Sequence, residues 1–205
     1  VTGPSPATAH AVDALARVQV PEAPRLDRAA AVAAVRDLLD AFGQDATSPQ
    51  LRDTPRRVVD ALEELLSPEP FEPTTFPDEA GYEGVVVVRD VAVQSLCAHH
   101  LLPFVGVAHI AYLPCGRVAG LSKLVRAVDA HARRLQVQEH LTAQVADWVM
   151  AELAADGAAV VVQAEHLCMA LRGVRARGTT TITTSLRGRL RRDPTARAEV
   201  LAQLR

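Results

Sequence analysis

The run Gly84-Val85-Val86-Val87-Val88-Arg89-Asp90-Val91-Ala92-Val93 constrains the fold of this chain more than any other stretch. β-Branched side chains lose rotamer freedom against the preceding turn of a helix but pack well on a pleated surface. The run therefore predicts one long strand. At its far end stands Ser95-Leu96-Cys97-Ala98-His99-His100-Leu101-Leu102-Pro103-Phe104, which places a thiol and two imidazoles within four residues. A Cys and a His three positions apart can reach one metal ion from a single turn. Zinc takes thiolate and imidazole ligands, and a catalytic zinc keeps one position open for water. The stretch Glu165-His166-Leu167-Cys168 offers a third ligand. The spacing thus points to Cys97, His100 and Cys168 as a zinc site, with His99 and His166 left as proton carriers. It is looser than a paired CxxC pattern, so the rest of the chain has to be weighed with it.

With 205 residues, 49% of them hydrophobic, the chain can bury a sizeable core, and with only 3% aromatic that core must be filled by Val, Leu and Ala. A net charge of -2 argues against a general nucleic-acid binder. The charge is uneven. From Leu171 to Arg205 nine arginines face only Asp193 and Glu199, a local +7 that suits either a solvated or subunit-facing surface or an anion site. Lys123 is the one lysine against 21 arginines. No apolar run is long enough to span a membrane, and the first twenty residues lack the basic start and hydrophobic block of a signal peptide. Three cysteines, two with histidine neighbours, suit a reducing, cytoplasmic setting better than a disulfide framework. Cys115 reads as an ordinary free thiol in the turn Pro114-Cys115-Gly116-Arg117.

Along the chain, residues 1–26 are Pro- and Ala-rich without a period and read as a flexible arm. Residues 27–82 read as a helical region. One helix is predicted over Asp27 to Phe42, with Ala31, Val32, Val35, Leu38 and Leu39 on its apolar face. A second is expected to start at Thr54-Pro55, with Thr54 as N-cap. The acidic, Pro-rich stretch from Glu69 to Glu83 reads as a loop. Residues 83–205 form the main domain. After the long strand, Val105 to Leu113 reads as its antiparallel partner. Leu121, Leu124, Val125, Val128, Ala132 and Leu135 space one helix, and Leu141, Val145, Trp148, Val149 and Leu153 space the next, stopped at Asp156-Gly157. Ala158 to Ala164 is a buried strand leading to His166 and Cys168. Thr179 to Leu190 is a Thr-rich strand, and Pro194 to Arg205 a closing helix. Strand, strand, helix, helix, strand, strand describes an α+β unit: a mostly antiparallel sheet with two helices on one face and an N-terminal helical extension.

Three long segments, SLCAHHLLPFVGVAHIAYLP, GLSKLVRAVDAHARRLQVQEHLT and QAEHLCMALRGVRARGTTTITTSLRG, occur in this order and resemble GTP cyclohydrolase I from about Asp27 to the C-terminus. The resemblance implies a T-fold (tunnelling fold) assembled as a toroidal homodecamer with active sites at subunit interfaces. It implies the conversion of GTP and water to 7,8-dihydroneopterin triphosphate and formate, the first step of pterin and tetrahydrofolate biosynthesis. It assigns Zn2+ to Cys97, His100 and Cys168, and catalysis to His99 and His166. Ser122, Lys123 and Arg126 match residues that hold triphosphate and ribose, with Ser122 also a candidate for proton handling during ribose opening. Arg172 and Arg57 match further phosphate-binding arginines, and Gln138 and Glu139 the segment that reads guanine. The chemistry agrees with these roles. A triphosphate suits converging cations, Lys123 and Arg126 share a helix face near its N-terminus, and a carboxylate such as Glu139 can accept from guanine N1–H and its 2-amino group together.

One position departs from the family. Where the family usually carries Glu between the Cys and the paired His, this chain has Ala98. That departure leaves room for a specialised paralogue acting in another purine-derived pathway. A rival of a different class is a non-catalytic zinc-binding T-fold protein. A structural zinc would want a fourth protein ligand and would not need His99, Lys123 and Glu139 together.

Overall fold

The computed structural model of the chain describes residues 25–204, so the arm expected over residues 1–26 lies almost wholly outside the described residues. Two helices come first, α1 (Arg28–Ala41) and α2 (Thr54–Leu66). Asp27 caps α1 by accepting the Ala30 N–H at 3.0 Å. The cap of α2 is Asp53 rather than Thr54, because Thr54 already has helical backbone and Pro55 sits one position further in. The helices pair through Arg28, which is bonded to both Asp60 and Glu63. No residue of α1 is buried; Leu38 on its predicted apolar face is exposed, as is Phe42 at its end. The following loop contains a short strand, β1 (Thr75–Pro77).

The valine-rich run forms β2 (Val86–Cys97), and β3 (Pro103–Leu113) is its antiparallel partner. The register slips between Val88 and Val91, a bulge in which Asp90 takes φ 58°. The short strand β4 (Arg117–Ala119) pairs with β1 and ties the loop to the main body. Helix α3 runs from Leu121 to Ala132. Leu135, expected on that helix, instead starts a two-residue strand β5 (Leu135–Gln136) parallel to the end of β2. Helix α4 (Gln138–Leu153) ends on Ala154 in the left-handed region, before the expected stop at Asp156-Gly157, and Gly157 already opens β6 (Gly157–His166). A single turn, α5 (Leu167–Ala170), carries Cys168. Strand β7 (Thr180–Arg187) ends earlier than expected, because Gly188 to Arg192 coil into α6, and α7 (Pro194–Gln203) closes the described chain. Asp193 caps α7 by accepting from Thr195 N–H and Ala196 N–H, with Pro194 at the first turn.

The main sheet has the order β5-β2-β3-β6-β7, antiparallel except at β5. Alternation along the strands sends one set of side chains to α3 and α4. There Phe104, Ile110, Tyr112, Leu124, Leu141, Trp148 and Val160 form the principal core. The opposite set, Ala111, Ala159 and their neighbours, packs on Leu190, Val200 and Leu204 of the C-terminal segment. The two long helices share one face as the periodicity predicts, and α6 and α7 cover part of the other. Alanines at 108, 111, 158, 159 and 164 let this layer pack closely where few aromatics are available.

Gly106 in β3 shows how close that packing is. A Cβ there would meet Gln163 O at 1.9 Å and Ala164 Cα at 2.6 Å, both backbone atoms of β6. Gly106→Ala should therefore destabilise the protein by about 3 kcal/mol, because a paired strand has no free end to swing away. Thermal denaturation monitored by circular dichroism should show a clearly lowered midpoint, and an unchanged midpoint would mean that β3 and β6 can separate locally at little cost.

Candidate active site

β2 ends on Cys97 and β3 begins at Pro103, so the connection between them is short. Leu102 O accepts from Cys97 N–H at 2.9 Å, and Cys97 O accepts from Leu101 N–H at 2.9 Å. Leu101 closes the turn at φ 54°, an uncommon conformation for a bulky residue. The turn leaves His99 and His100 exposed while Cys97 is buried. On the other side of β3, strand β6 runs antiparallel and places His166 opposite Phe104, and α5 then brings Cys168 round to the same end. Strand β5 completes the arrangement. It pairs Gln136 with Cys97, and Gln136 O accepts from Ala98 N–H at 2.9 Å. This pins the connection between α3 and α4 beside the turn and places the first residues of α4, Gln138 and Glu139, along the same cleft as the thiols.

The result is a cleft of about 320 Å³ lined by Cys97, His99, His100, Gln136, Val137, Gln138, Glu139, His166, Cys168, Met169 and Thr181. Within it the Cys97 and Cys168 sulfurs and a ring nitrogen of His100 all lie within 4.8 Å of one another. His99 Nδ1 lies 3.7 Å from Cys97 Sγ and His100 Nδ1 3.8 Å, but His100 is the histidine that also reaches Cys168. Tetrahedral zinc with sulfur and nitrogen ligands requires separations of roughly 3.5–3.8 Å, judged from the usual bond lengths. Burial, followed by the neighbouring Cys97, pushes the Cys168 thiol up, while Arg172 acts in the opposite direction. Two thiols held together in this way favour a cation that would let both ionise. Sulfur, sulfur and imidazole is a donor set that suits zinc, so the residues present fit the metal that the resemblance implies.

His166 is the most tightly held ring in the cleft. It stacks on Phe104 with centroids 4.7 Å apart and planes 12° from parallel. Its Nε2 lies 2.8 Å from Gln138 Oε1. Burial holds its pKa below the usual histidine range, opposed by the charge of Glu139. Gln138 is 1% exposed, and its Nε2 lies 3.0 Å from Val162 O, 3.0 Å from Thr181 O and 3.1 Å from Thr183 Oγ1. Both amide hydrogens are therefore committed inside the protein and neither is left for a ligand. Glu139, next in the chain, is exposed in the first turn of α4, where the side chain of Val137 provides no cap and an incoming acceptor would meet free backbone N–H groups.

The remaining predicted residues stand elsewhere. Ser122, Lys123 and Arg126 lie in the first turns of α3 with Ser122 and Arg126 exposed, and none of the three lines the cleft. Arg57 is exposed on α2 and lies 3.6 Å from Asp53. Arg172 is exposed just beyond α5, close enough to act on Cys168. Sequence reasoning missed Gln136, Thr181 and Phe104 as parts of the site. Thr181 and Thr183 belong to the inward set of the Thr-rich strand, and alternation from the buried Ser185 marks them. Gln136 carries no such mark, because its position depends on β5, which is too short to leave a pattern.

A sequence profile of the GTP cyclohydrolase I family matches residues 31–205. The chain belongs to the GTP cyclohydrolase I family. It is 47% identical over 187 residues to GTP cyclohydrolase 1 of Allorhizobium ampelinum, covering 89% of this chain and 93% of that protein. It is 49% identical over 182 residues to that of Mycobacteroides abscessus, covering 85% and 88% respectively. With that of Streptomyces avermitilis it shares 50% over 176 residues, covering 82% and 86%. Among solved structures, an archaeosine synthase QueF-like protein in the apo form aligns with a TM-score of 0.43 at 17% identity, over 51% of this chain and 93% of that one. The α+β sheet described above is the T-fold of this GTP cyclohydrolase family, and the chain is an enzyme of that class. Among the described residues no helix is long and apolar enough to cross a membrane.

Metal analysis of purified variants checks the ligand set. If the parent binds zinc through the group described, Cys168→Ala should lose it, whereas His99→Ala should keep it. Full zinc content in Cys168→Ala would remove that residue from the ligand set, and loss of zinc in His99→Ala would add His99 to it.

Proposed function

We propose that the protein is a zinc-dependent GTP cyclohydrolase I that converts GTP and water to 7,8-dihydroneopterin triphosphate and formate. The observation that carries the reading is the cleft itself: a two-thiol, one-imidazole ligand set beside two further histidines and a carboxylate at a helix N-terminus. Cys97, His100 and Cys168 would hold zinc, which when bound supplies Lewis acidity to activate water for attack on C8 of the purine. Glu139 accepts from guanine N1–H and the 2-amino group, which fixes the base with C8 towards the metal ligands. The free N–H groups of the α4 N-terminus lie beside it. His99 and His166 carry protons to and from the ring as the imidazole opens and formate leaves. Ser122 handles protons during ribose opening and rearrangement.

Lys123, Arg126, Arg57 and Arg172 bind the triphosphate. Ser122, Lys123, Arg126 and Arg57 lie outside the cleft of their own chain. That separation supports a homo-oligomer, a decamer by the family resemblance, in which a second copy brings its cations to the cleft. Leu101, Leu121, Val125, Leu171 and Val174 are exposed apolar residues on the segments around the site and on α3. They are the kind of surface such a contact would cover. The protein would act in the cytoplasm, at the first step of pterin and tetrahydrofolate biosynthesis. Ala98 favours a second reading, a specialised paralogue with the same first chemistry. Ala98 is exposed in the turn between the metal ligands, so the cleft edge lacks a carboxylate there.

Incubating zinc-loaded protein with GTP and following formate and pterin triphosphate by mass spectrometry tests the proposal. Equal amounts of both products are expected. Ring-opened product without formate would limit the enzyme to the first hydrolysis and favour the specialised reading. No turnover of GTP at full zinc loading would overturn the activity.

A further inference from the structure

Gln138 occupies an unusual place in this site. It sits at the wall of the cleft, yet its side chain is almost fully buried, and the hydrogen bonds of its nitrogen run into the sheet. The direction of every bond around it can be worked out. Val162 O and Thr181 O are backbone carbonyls and can only accept, so the Gln138 nitrogen must face them. Turning the amide over would set its oxygen against two carbonyl oxygens at about 3 Å and lose both hydrogen bonds that its nitrogen makes there. Thr142 Oγ1 donates to Gln138 O at 2.7 Å, and Thr183 Oγ1 lies 2.6 Å from Thr142 Oγ1. Thr183 therefore gives its hydrogen to Thr142 and offers a lone pair to Gln138 Nε2 at 3.1 Å. With the amide fixed, Gln138 Oε1 is an acceptor, and the group facing it at 2.8 Å, His166 Nε2, must carry the hydrogen.

A neutral imidazole has one N–H. If it lies on Nε2, the lone pair is on Nδ1. Among the described residues His166 Nδ1 makes no hydrogen bond, and it is not a buried atom left without a partner, so it is open to the cleft. Phe104 stacked on the ring limits its tilt. The ring is thus held by its face and by one nitrogen, and presents the other. We propose that Gln138 is a positioning residue that holds His166 as the Nε2–H tautomer and so makes Nδ1 the atom that exchanges protons with the substrate. This replaces the guanine contact expected for Gln138 from the family resemblance, leaves base recognition to Glu139, and rests on the reading of the cleft as a GTP cyclohydrolase site. Partners that fix a histidine's tautomer in this way are a recurrent device in enzymes and around metals.

Two measurements test it. Solid-state 15N NMR of the zinc-loaded protein with labelled histidine, at a pH where the ring is neutral, reads the tautomer directly, the His166 signal being identified by its loss in His166→Asn. A protonated Nε2 and bare Nδ1 are expected; a protonated Nδ1 in an active parent would overturn the inference alone, whatever the variants do. The second measurement is steady-state kinetics of Gln138→Leu with GTP and with inosine triphosphate, which lacks the 2-amino group. The expected result is a fall in kcat by roughly a hundredfold, in the range seen when a tautomer-fixing partner is removed, with zinc content, KM for GTP and the preference for GTP over inosine triphosphate unchanged. A raised KM and a lost preference with kcat retained would make Gln138 a guanine contact and reject the positioning role. A parent protein that releases no formate from GTP would instead overturn the functional reading, and the claim about proton exchange with it.

Discussion

Strand β3 is hydrogen-bonded along both edges, to β2 on one side and to β6 on the other, and the site depends on that double pairing. The first two candidate metal ligands lie at the end of β2 and in the turn after it, while the third lies just beyond β6. They meet because β2 and β6 both run antiparallel to β3 and reach the same end of the sheet. A slip of one residue in either register would turn the inward set of side chains outward, and with it Cys97 or His166. Gly106 is part of the same constraint, since its missing Cβ is what lets β3 lie against β6 at this distance. The core of α3 and α4 then packs on the side of that layer that carries Ala108, Ala158 and Ala164.

The helices are placed by the sheet in turn. The two residues of β5 look minor, yet they fix the start of α4 next to Cys97. Once there, Gln138 is drawn into the space between α4, β6 and β7. Burying an amide is costly unless its hydrogen bonds are made, and here the Val162 and Thr181 carbonyls, the Thr183 hydroxyl and His166 satisfy it. The same network that stabilises the α4–β7 contact therefore orients a ring of the site. Structural and chemical demands meet in one residue, which is why its role is hard to assign from its neighbours in the sequence alone.

The legibility of the chain follows from the range of the forces involved. The valine run, the hairpin after it, the apolar spacing of α3 and α4 and the Asp193-Pro194 start of α7 are local signals, and each element is present close to where those signals place it. The metal-ligand candidates were legible because a Cys and a His three apart need only one turn to converge. Boundaries went astray where a tertiary contact overrode the pattern. Leu135 continues the apolar spacing of α3 but is taken by the edge of β2, and α4 ends early at Ala154 because Gly157 is claimed by the pairing of β6 with β3. Thr54 has the residue type of a cap, but Asp53 fills the position because Thr54 already has helical backbone.

The sequence by itself determined the fold class and the family and supplied the candidates for the chemistry, because side-chain type, hydrophobic period and short-range spacing are properties of the chain. Only the tertiary structure set the spacing of Cys168 from Cys97 and His100, put Gln138 against His166, and left Ser122, Lys123, Arg126 and Arg57 outside the cleft of their own chain. Those outcomes depend on strand register and on hydrogen bonds between residues far apart in sequence. No local pattern encodes such contacts, since a buried polar group takes its partners from whatever the folded chain places around it.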